Sequence, residues 1–286
     1  MPASDTPFEA TAESSLIVVR ALSDVFDSQH PTVAVAARAL FAELAEQSAG
    51  LGGEHLMLAS ADVDCDSFYK YPCVGHAIAK TGYTANVFVQ ILRDLGALKL
   101  RESHESLGRR SLVSDRSLTF DVFDIIELYA MQDADGRYEA PQWAVRLGQW
   151  ANWFMTAEAR SLMGKIARAA LSLEEIESFR MAVKLGEHVH FVLRAEERAT
   201  ETRVPLLSIL AEVSSVSVLE MRDRKHEAQL ARILETFEAA AKALAAEGLC
   251  AIRLLRAGGN AANAPAAHND NYALLYESVV AISASG

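Results

Sequence analysis

The sequence is poor in cysteine and proline and has no long hydrophobic run. Its 286 residues include three cysteines and seven prolines, so it is neither a disulfide-stapled secreted domain nor collagen-like. No run approaches the roughly 18 apolar residues that a membrane-spanning helix needs. Residues 1–13 contain no Lys or Arg, whereas a secretory signal needs a basic start and a transit peptide needs arginine. We therefore predict a globular cytoplasmic protein with reduced thiols and no membrane partner.

Signatures of catalysis are also missing. The sequence has no Gly-x-Ser-x-Gly element, no phosphate-binding glycine-rich loop and no dinucleotide fingerprint. Residues 187–190 and 223–226 each place a carboxylate three positions before a histidine, but di-iron bundles also need glutamates from two further helices. Cys65, Cys73 and His76 lack the short Cys-x2–4-Cys spacing and the fourth ligand of a structural zinc site. We predict a protein that is not an enzyme and that has no metal and no cofactor.

Negative charge predominates, but it is unevenly distributed. The net charge is −11 over the whole chain. Residues 1–69 carry −9 and residues 119–286 carry −6, whereas residues 70–118 carry +4. The net positive charge is therefore confined to one short stretch, and a basic stretch is the electrostatic footprint expected of a nucleic-acid contact.

Composition and periodicity divide the chain into four predicted regions. These are an acidic N-terminal helical region at 1–69, a basic module at 70–118, a helical domain at 119–256, and a low-complexity loop with a terminal element at 257–286. In the first region we predict helices over 15–28 and 32–49, with Pro31 at a helix start.

Residues 119–256 show mostly helical periodicity. Trp143, Leu147, Trp150 and Phe154 recur at spacings of four, three and four after Pro141. This pattern predicts a helix with one buried aromatic face, in the core or at a dimer seam; an aromatic ligand pocket is the alternative. Trp153 falls off that face, which makes it a candidate exposed aromatic.

Further helix signals follow in the same region. Residues 172–175 match a capping box that would open a helix towards residue 198, and Pro205 would open another. A stripe from Leu230 to Leu244, closed by Gly248, suits a bundle or a dimer seam. We predict a helical-bundle C-terminal region that provides homo-oligomerisation, effector binding or partner docking. Residues 252–255 and 272–282 form either a terminal hairpin or two helices.

Residues 77–96 combine a helix, a turn and a second helix. Gly82 lies where the turn needs a residue that tolerates positive φ, and Thr84 lies at the cap of a helix over about 85–95. Leu98–Arg101 and Arg110–Ser114 then alternate as two strands. This segment resembles the winged helix-turn-helix of bacterial DNA-binding proteins, at superfamily level and over about residues 70–118. The resemblance implies a mainly α fold with a small β-hairpin.

The resemblance also implies a duplex-reading helix and a phosphate-contacting wing. Phe88, Ile91, Leu92 and Leu95 would face inward. The outer face would present Tyr83, Ala85, Asn86, Val89, Gln90 and Arg93. Asn and Gln can pair with adenine edges and Arg with guanine in the major groove. Phosphate contacts would come from Thr84 at the helix N-terminus, from Lys80, Lys99 and Arg101, and from Arg109 and Arg110 near the hairpin tip.

Ile78 departs from the pattern, which expects a small residue four positions before the turn glycine. A shift of one residue in the helix register would change which residues of the second helix face outward. Glu102 and Glu105 in the wing also oppose phosphate. The leading hypothesis is a sequence-specific or structure-specific DNA-binding protein, either a transcriptional regulator or an accessory protein of a plasmid or mobile element. The alternatives are a helical scaffold whose winged helix binds protein, and an enzyme that uses the helical domain.

Overall fold

The computed structural model describes residues 10–49, 56–58, 72–95, 98–104, 110–128, 142–193, 201–214, 218, 226–256, 275–276 and 278–284. These residues are mainly helical and include small antiparallel sheets. The chain divides into two compact units, Met1–Ala167 and Arg168–Gly286. The mainly helical class predicted from the sequence is confirmed, but the strands are more extensive than predicted.

The first unit combines helices with two antiparallel sheets. The helices are α1 (Ala12–Asp27), α2 (Pro31–Ala49), α3 (Pro72–Thr81), α4 (Ala85–Arg93), α5 (Trp150–Phe154) and α6 (Ala157–Leu171), the last of which runs across the boundary between the units. The strands are β1 (Leu56–Leu58), β2 (Leu98–His104), β3 (Arg110–Phe120), β4 (Phe123–Leu128) and β5 (Gln142–Leu147). One sheet has the order β1-β5-β4, and β2 and β3 form a hairpin. Pro31 occupies the first position of α2, as predicted.

Residues 142–147 are a strand, so the helix predicted to start at Pro141 is wrong for this segment. β5 lies between β1 and β4 and pairs with both of them. Trp143 and Leu147 are four residues apart, a spacing that places two side chains on one face of a helix and also on one face of a strand. Residues 142–147 form a strand and not a helix because they pair with β1 and β4 on either side. Trp150 and Phe154 are helical and buried in α5.

A tight corner joins β5 to α5 beside the start of β4. The Gly148 amide donates to the Val122 carbonyl at 3.0 Å. The Trp150 indole Nε1 donates to the carbonyls of Asp121 at 3.0 Å and Val122 at 3.2 Å. A Cβ atom on Gly148 would lie 2.3 Å from the Asp121 carbonyl oxygen. The corner therefore requires glycine for close approach of two backbones.

Arg160 in α6 is buried and ties together the C-terminal ends of two other helices. Its Nη1 donates to the carbonyls of Ala151 at 2.7 Å and Met155 at 3.1 Å, and its Nη2 donates to the Ser48 carbonyl at 3.4 Å. The carbonyls at a helix C-terminus have no partner within the helix and carry the negative end of the helix dipole. The guanidinium stabilises these ends, although burial lowers the pKa of Arg160.

The second unit packs helices against a three-stranded antiparallel sheet. Its helices are α7 (Ile176–Glu187), which continues as a π-helical segment (His188–Leu193), α8 (Leu206–Val213) and α9 (Glu227–Ala246). Its strands are β6 (Glu201–Pro205), β7 (Cys250–Arg256) and β8 (Ser278–Ala284), in the order β6-β8-β7. The region predicted as a helical bundle therefore also contains an antiparallel sheet. Because β7 and β8 pair, the terminal element is a hairpin, one of the two alternatives left open.

The helix signals of the second unit have mixed outcomes. The stripe from Leu230 to Leu244 is buried in α9, and Gly248 follows with a φ of 67°, as predicted for the end of this helix. Pro205 precedes α8 as predicted. The capping box at 172–175 is not formed, because the Ser172 hydroxyl donates to the Ala169 carbonyl at 2.7 Å and α7 begins only at Ile176.

Both units contain the same order of elements: a helix, a strand, two helices and a two-stranded hairpin. The order is α2-β1-α3-α4-β2-β3 in the first unit and α7-β6-α8-α9-β7-β8 in the second. The strand pairing differs, because β6 pairs with its own hairpin through β8, whereas β1 pairs with β5. α4 and α9 occupy equivalent positions in this order, so their outer faces can be compared.

A carboxylate links β6 and β7, the two edge strands of the sheet in the second unit. Glu201 on β6 accepts from the Arg203 Nε at 2.8 Å and from the Arg253 Nη2 of β7 at 2.9 Å. These hydrogen bonds, first that of Arg203, lower the pKa of the Glu201 carboxyl. The stabilisation is therefore present above the unfolded-state pKa of about 4.3 and is lost as pH falls through the lower folded-state pKa.

We expect Glu201→Gln to lower the melting temperature of the second unit at neutral pH and to have no effect in strong acid. The measurement is calorimetry of both proteins across this pH range. Glu212→Gln removes an exposed carboxyl from α8 and serves as the control. A melting-temperature difference that persists unchanged in acid would contradict a role for the ionised carboxylate.

Candidate nucleic-acid interface

The turn between α3 and α4 has the geometry that the sequence predicts. Gly82 has a φ of 74°, in the left-handed region that favours glycine. The Thr81 hydroxyl donates to the Ile78 carbonyl at 2.6 Å and accepts from the Tyr83 amide at 3.1 Å. The Thr84 side chain caps α4 by accepting from the Val87 amide. The predicted positive φ of Gly82 and the predicted helix cap at Thr84 are both confirmed.

The buried face of α4 is rotated relative to the prediction. Ala85, Phe88, Val89 and Leu92 are buried, so the prediction that Ala85 and Val89 face outward is wrong. Ile91, predicted to face inward, is only half-buried. Residues 85, 88, 89 and 92 follow the i, i+3, i+4, i+7 pattern of an amphipathic helix, which is the sequence signal that gives the correct face.

The outward face of α4 is partly apolar. Tyr83 is 46% exposed and Val87 is 44% exposed. Gln90 and Arg93 are also exposed, whereas Asn86 is half-buried. Val87 is a candidate contact residue that sequence reasoning missed.

The remaining predicted contact residues lie on α3 and on the hairpin. Lys80 is exposed near the end of α3. Lys99 and Arg101 lie on β2, and Arg110 lies on β3 opposite His104. Arg109 lies outside the described residues. The structure thus places a capped helix and a cation-bearing hairpin consecutively in one unit.

The hairpin is irregular in its middle. Leu100 pairs with Leu118, but the next residue, Arg101, pairs with Val113. The register therefore skips residues 114–117 of β3, and the pairing of the two strands is interrupted between the base and the outer part of the hairpin.

Arg93 holds the C-terminal end of α4 against the neighbouring sheet. Its guanidinium carbon lies 4.5 Å from the ring centroid of Trp143. Trp143 is buried in β5, and α4 also packs on β4. This cation–π contact adds to the packing that holds α4 against the sheet. A role for Trp143 in positioning this helix was not predicted from the sequence.

The other aromatic residues mostly form the core. Trp150 and Phe154 are buried, whereas Trp153 is 47% exposed, as its position off the aromatic face predicted. The Trp153 ring packs edge-on against Phe120 and Phe154, at centroid distances of 6.0 and 6.3 Å. Phe120 is the last residue of β3, so this aromatic cluster joins the base of the hairpin to α5.

The described residues meet neither the requirements of a metal site nor those of a membrane-spanning helix. Within the described parts of the chain, no three His, Cys, Asp or Glu side chains are grouped so that they could hold a metal ion. Asp223 and Cys65, from the predicted metal-like patterns, lie outside the described residues, and the Cys250 side chain is buried. None of the described helices is long and apolar enough to cross a bilayer.

No protein-family model, curated protein or solved structure matches this chain significantly.

Proposed function

We propose that residues 70–118 bind double-stranded DNA, with α4 in the major groove and the β2–β3 hairpin against the phosphate backbone. The observation that carries the proposal is the exposed side of the turn and of α4, where Tyr83 follows Gly82 and where Gln90 and Arg93 lie on the helix. A helix fits the width of the major groove, and Gln and Arg have the donors and acceptors that read base edges there.

Electrostatics support the same assignment. Residues 70–118 carry a net charge of +4 in a chain of −11. Lys80 is exposed beside the turn, and Lys99, Arg101 and Arg110 lie on the hairpin. The N-terminus of α4, capped by Thr84, adds partial positive charge and backbone amides at the position where a phosphate would lie.

The equivalent helix of the second unit lacks these properties. The exposed face of α9 carries Glu227, Glu235 and Glu238, with Arg232 and Lys242 as its cations. Carboxylates at these positions would face phosphate and oppose binding. We therefore assign DNA contact to the first unit alone.

The biological role that best fits is a DNA-occupying protein that performs no chemistry of its own. It would act in the cytoplasm as a transcriptional regulator or as an accessory protein of a plasmid or mobile element. The second unit would provide homo-oligomerisation or effector binding. In this proposal one unit contacts DNA and the other contacts partners.

The test is salt-dependent binding to a labelled mixed-sequence duplex, measured by fluorescence anisotropy. Neutralisation of about four phosphates predicts a slope of about −3.6 for log affinity against log salt. Affinity should then fall about a hundredfold between 50 and 200 mM salt. We expect Lys80→Ala to reduce the magnitude of the slope by about 0.9, the contribution of one phosphate contact.

The matched control is Lys242→Ala, which removes an exposed lysine from α9 and should leave the slope unchanged. Replacing Arg109 and Arg110 together with alanine tests the hairpin separately. Unchanged affinity of that double variant at low salt would contradict wing contact. Absence of salt-dependent binding by the wild type would overturn the proposal as a whole.

One observation favours protein binding as a second candidate function. Tyr83 just before α4, Val87 on α4 and Ile126 on β4 at 43% exposure are exposed large apolar residues, and α4 packs on β4. Exposed apolar side chains of this kind are typical of protein interfaces. A scaffold of this type would show no salt-dependent affinity for duplex DNA.

A further inference from the structure

We infer that α4 selects A·T base pairs, with Val87 contacting a thymine methyl group and Gln90 contacting an adenine. The inference rests on the proposed DNA-binding function and names the substrate class of the same surface. It follows from the observed rotation of α4, which brings Val87 to the outside and moves Ala85 and Val89 into the core.

Val87 and Gln90 share one face of α4. They are separated by three residues, a spacing that aligns side chains along a helix. Tyr83 precedes the Thr84 cap, and Val87 is nearly as exposed as Tyr83. A duplex against this face would meet an apolar branched side chain with an amide on one side.

The spacing along the helix fits neighbouring bases. Three residues correspond to a rise of about 4.5 Å along the helix axis. Successive base pairs are separated by about 3.4 Å. Val87 and Gln90 would therefore reach the same base pair or adjacent base pairs when the helix lies along the groove.

The chemistry of this face matches one kind of base pair. In the major groove an A·T pair presents the thymine C5-methyl group together with the adenine N7 acceptor and N6 donor. The Gln90 amide can pair with both adenine groups, and the valine methyl groups can cover the thymine methyl. A G·C pair offers no methyl group for Val87, so its contact with valine would desolvate polar base edges instead.

The experiment removes only the methyl group in question. Binding is measured on duplexes of alternating adenine and thymine, of alternating adenine and uracil, and of alternating guanine and cytosine, at one fixed salt concentration. We expect the wild type to bind the thymine duplex about three- to fivefold more tightly than the uracil duplex, the effect of burying one methyl group. Binding to the G·C duplex should be weakest.

Two variants connect the effect to Val87. Val87→Ala withdraws the methyl contact to Cβ and should lose most of the thymine preference, whereas Val87→Thr keeps one γ-methyl group and should keep a larger part of it. Because Val87 is exposed and alanine is the better helix former, Val87→Ala should fold normally, which far-UV circular dichroism checks. Gln90→Ala should reduce discrimination between the A·T and G·C duplexes and keep the thymine preference.

The outcomes separate this inference from the proposed function. Absence of salt-dependent binding to all three duplexes overturns both. Salt-dependent binding with equal affinity for thymine and uracil overturns the inference alone. A thymine preference that survives undiminished in Val87→Ala also overturns it, because the preference then reflects duplex shape and not contact with this side chain.

Discussion

Gly148→Ala is expected to destabilise the first unit by about 3 kcal/mol. The added Cβ would lie 2.3 Å from the Asp121 carbonyl oxygen and 2.7 Å from the Trp150 ring. The backbone oxygen cannot rotate away as a side chain can. Relief therefore requires β4 and α5 to separate, which lengthens the hydrogen bonds from Gly148 and Trp150 to the Asp121–Val122 backbone.

The measurement for Gly148→Ala is urea denaturation followed by tryptophan fluorescence. All three tryptophans lie at positions 143, 150 and 153, so fluorescence reports on the first unit only. Gly82→Asn is the matched control, because Gly82 has open space around it and asparagine tolerates positive φ. We expect a cost below about 1 kcal/mol for this control. Equal midpoints for Gly148→Ala and wild type would show that the corner adapts without cost.

Arg160→Met is expected to cost about 3 kcal/mol. Methionine preserves much of the apolar volume but removes the donors to the carbonyls of Ala151, Met155 and Ser48. Buried carbonyls that lose their partners pay their desolvation cost without compensation. The C-terminal ends of α2 and α5 would lose their shared cation at the same time.

The same fluorescence-detected denaturation measures the effect of Arg160→Met. Lys165→Ala on the exposed side of α6 is the control and should change stability by less than about 0.5 kcal/mol. Arg160→Lys keeps the charge but has one ammonium in place of a planar fork, so we expect an intermediate loss. A methionine variant as stable as the lysine variant would exclude a specific role for the guanidinium hydrogen bonds.

Local signals predicted the helix-turn-helix correctly, because its determinants lie within a few residues. The Gly82 turn and the Thr84 cap depend only on backbone conformation and on hydrogen bonds between neighbours. The stripe of α9 is likewise a local periodicity. Such features do not depend on the rest of the fold, so the sequence is sufficient to predict them.

Pairing between distant segments was not predictable in the same way. Residues 142–147 carry a spacing compatible with both helix and strand, and only their partners in β1 and β4 make them a strand. The sheet of the second unit likewise depends on β8 lying between β6 and β7. Helical periodicity over the intervening residues gave no sign of this arrangement.

Helix α4 of the candidate site has both locally determined features and features that depend on distant parts of the chain. The bounds and cap of α4 follow from its own sequence, whereas its rotation depends on what it packs against. The prediction that Phe88 and Leu92 face inward is correct. Val89, predicted to face outward, is buried, and Val87, which was assigned to neither face, is exposed, because the helix packs on β4. The identity of the outward residues therefore required the tertiary structure.

The contact between Arg93 and Trp143 has a consequence for the thermodynamics of docking. A long side chain that is already held on an aromatic ring, at the end of a helix already seated on a sheet, has little rotamer freedom left to lose. For a helix that enters a groove, such preorganisation reduces the entropic cost of association. The affinity then depends mainly on the contacts made with the partner, because the helix keeps the same orientation before and after binding.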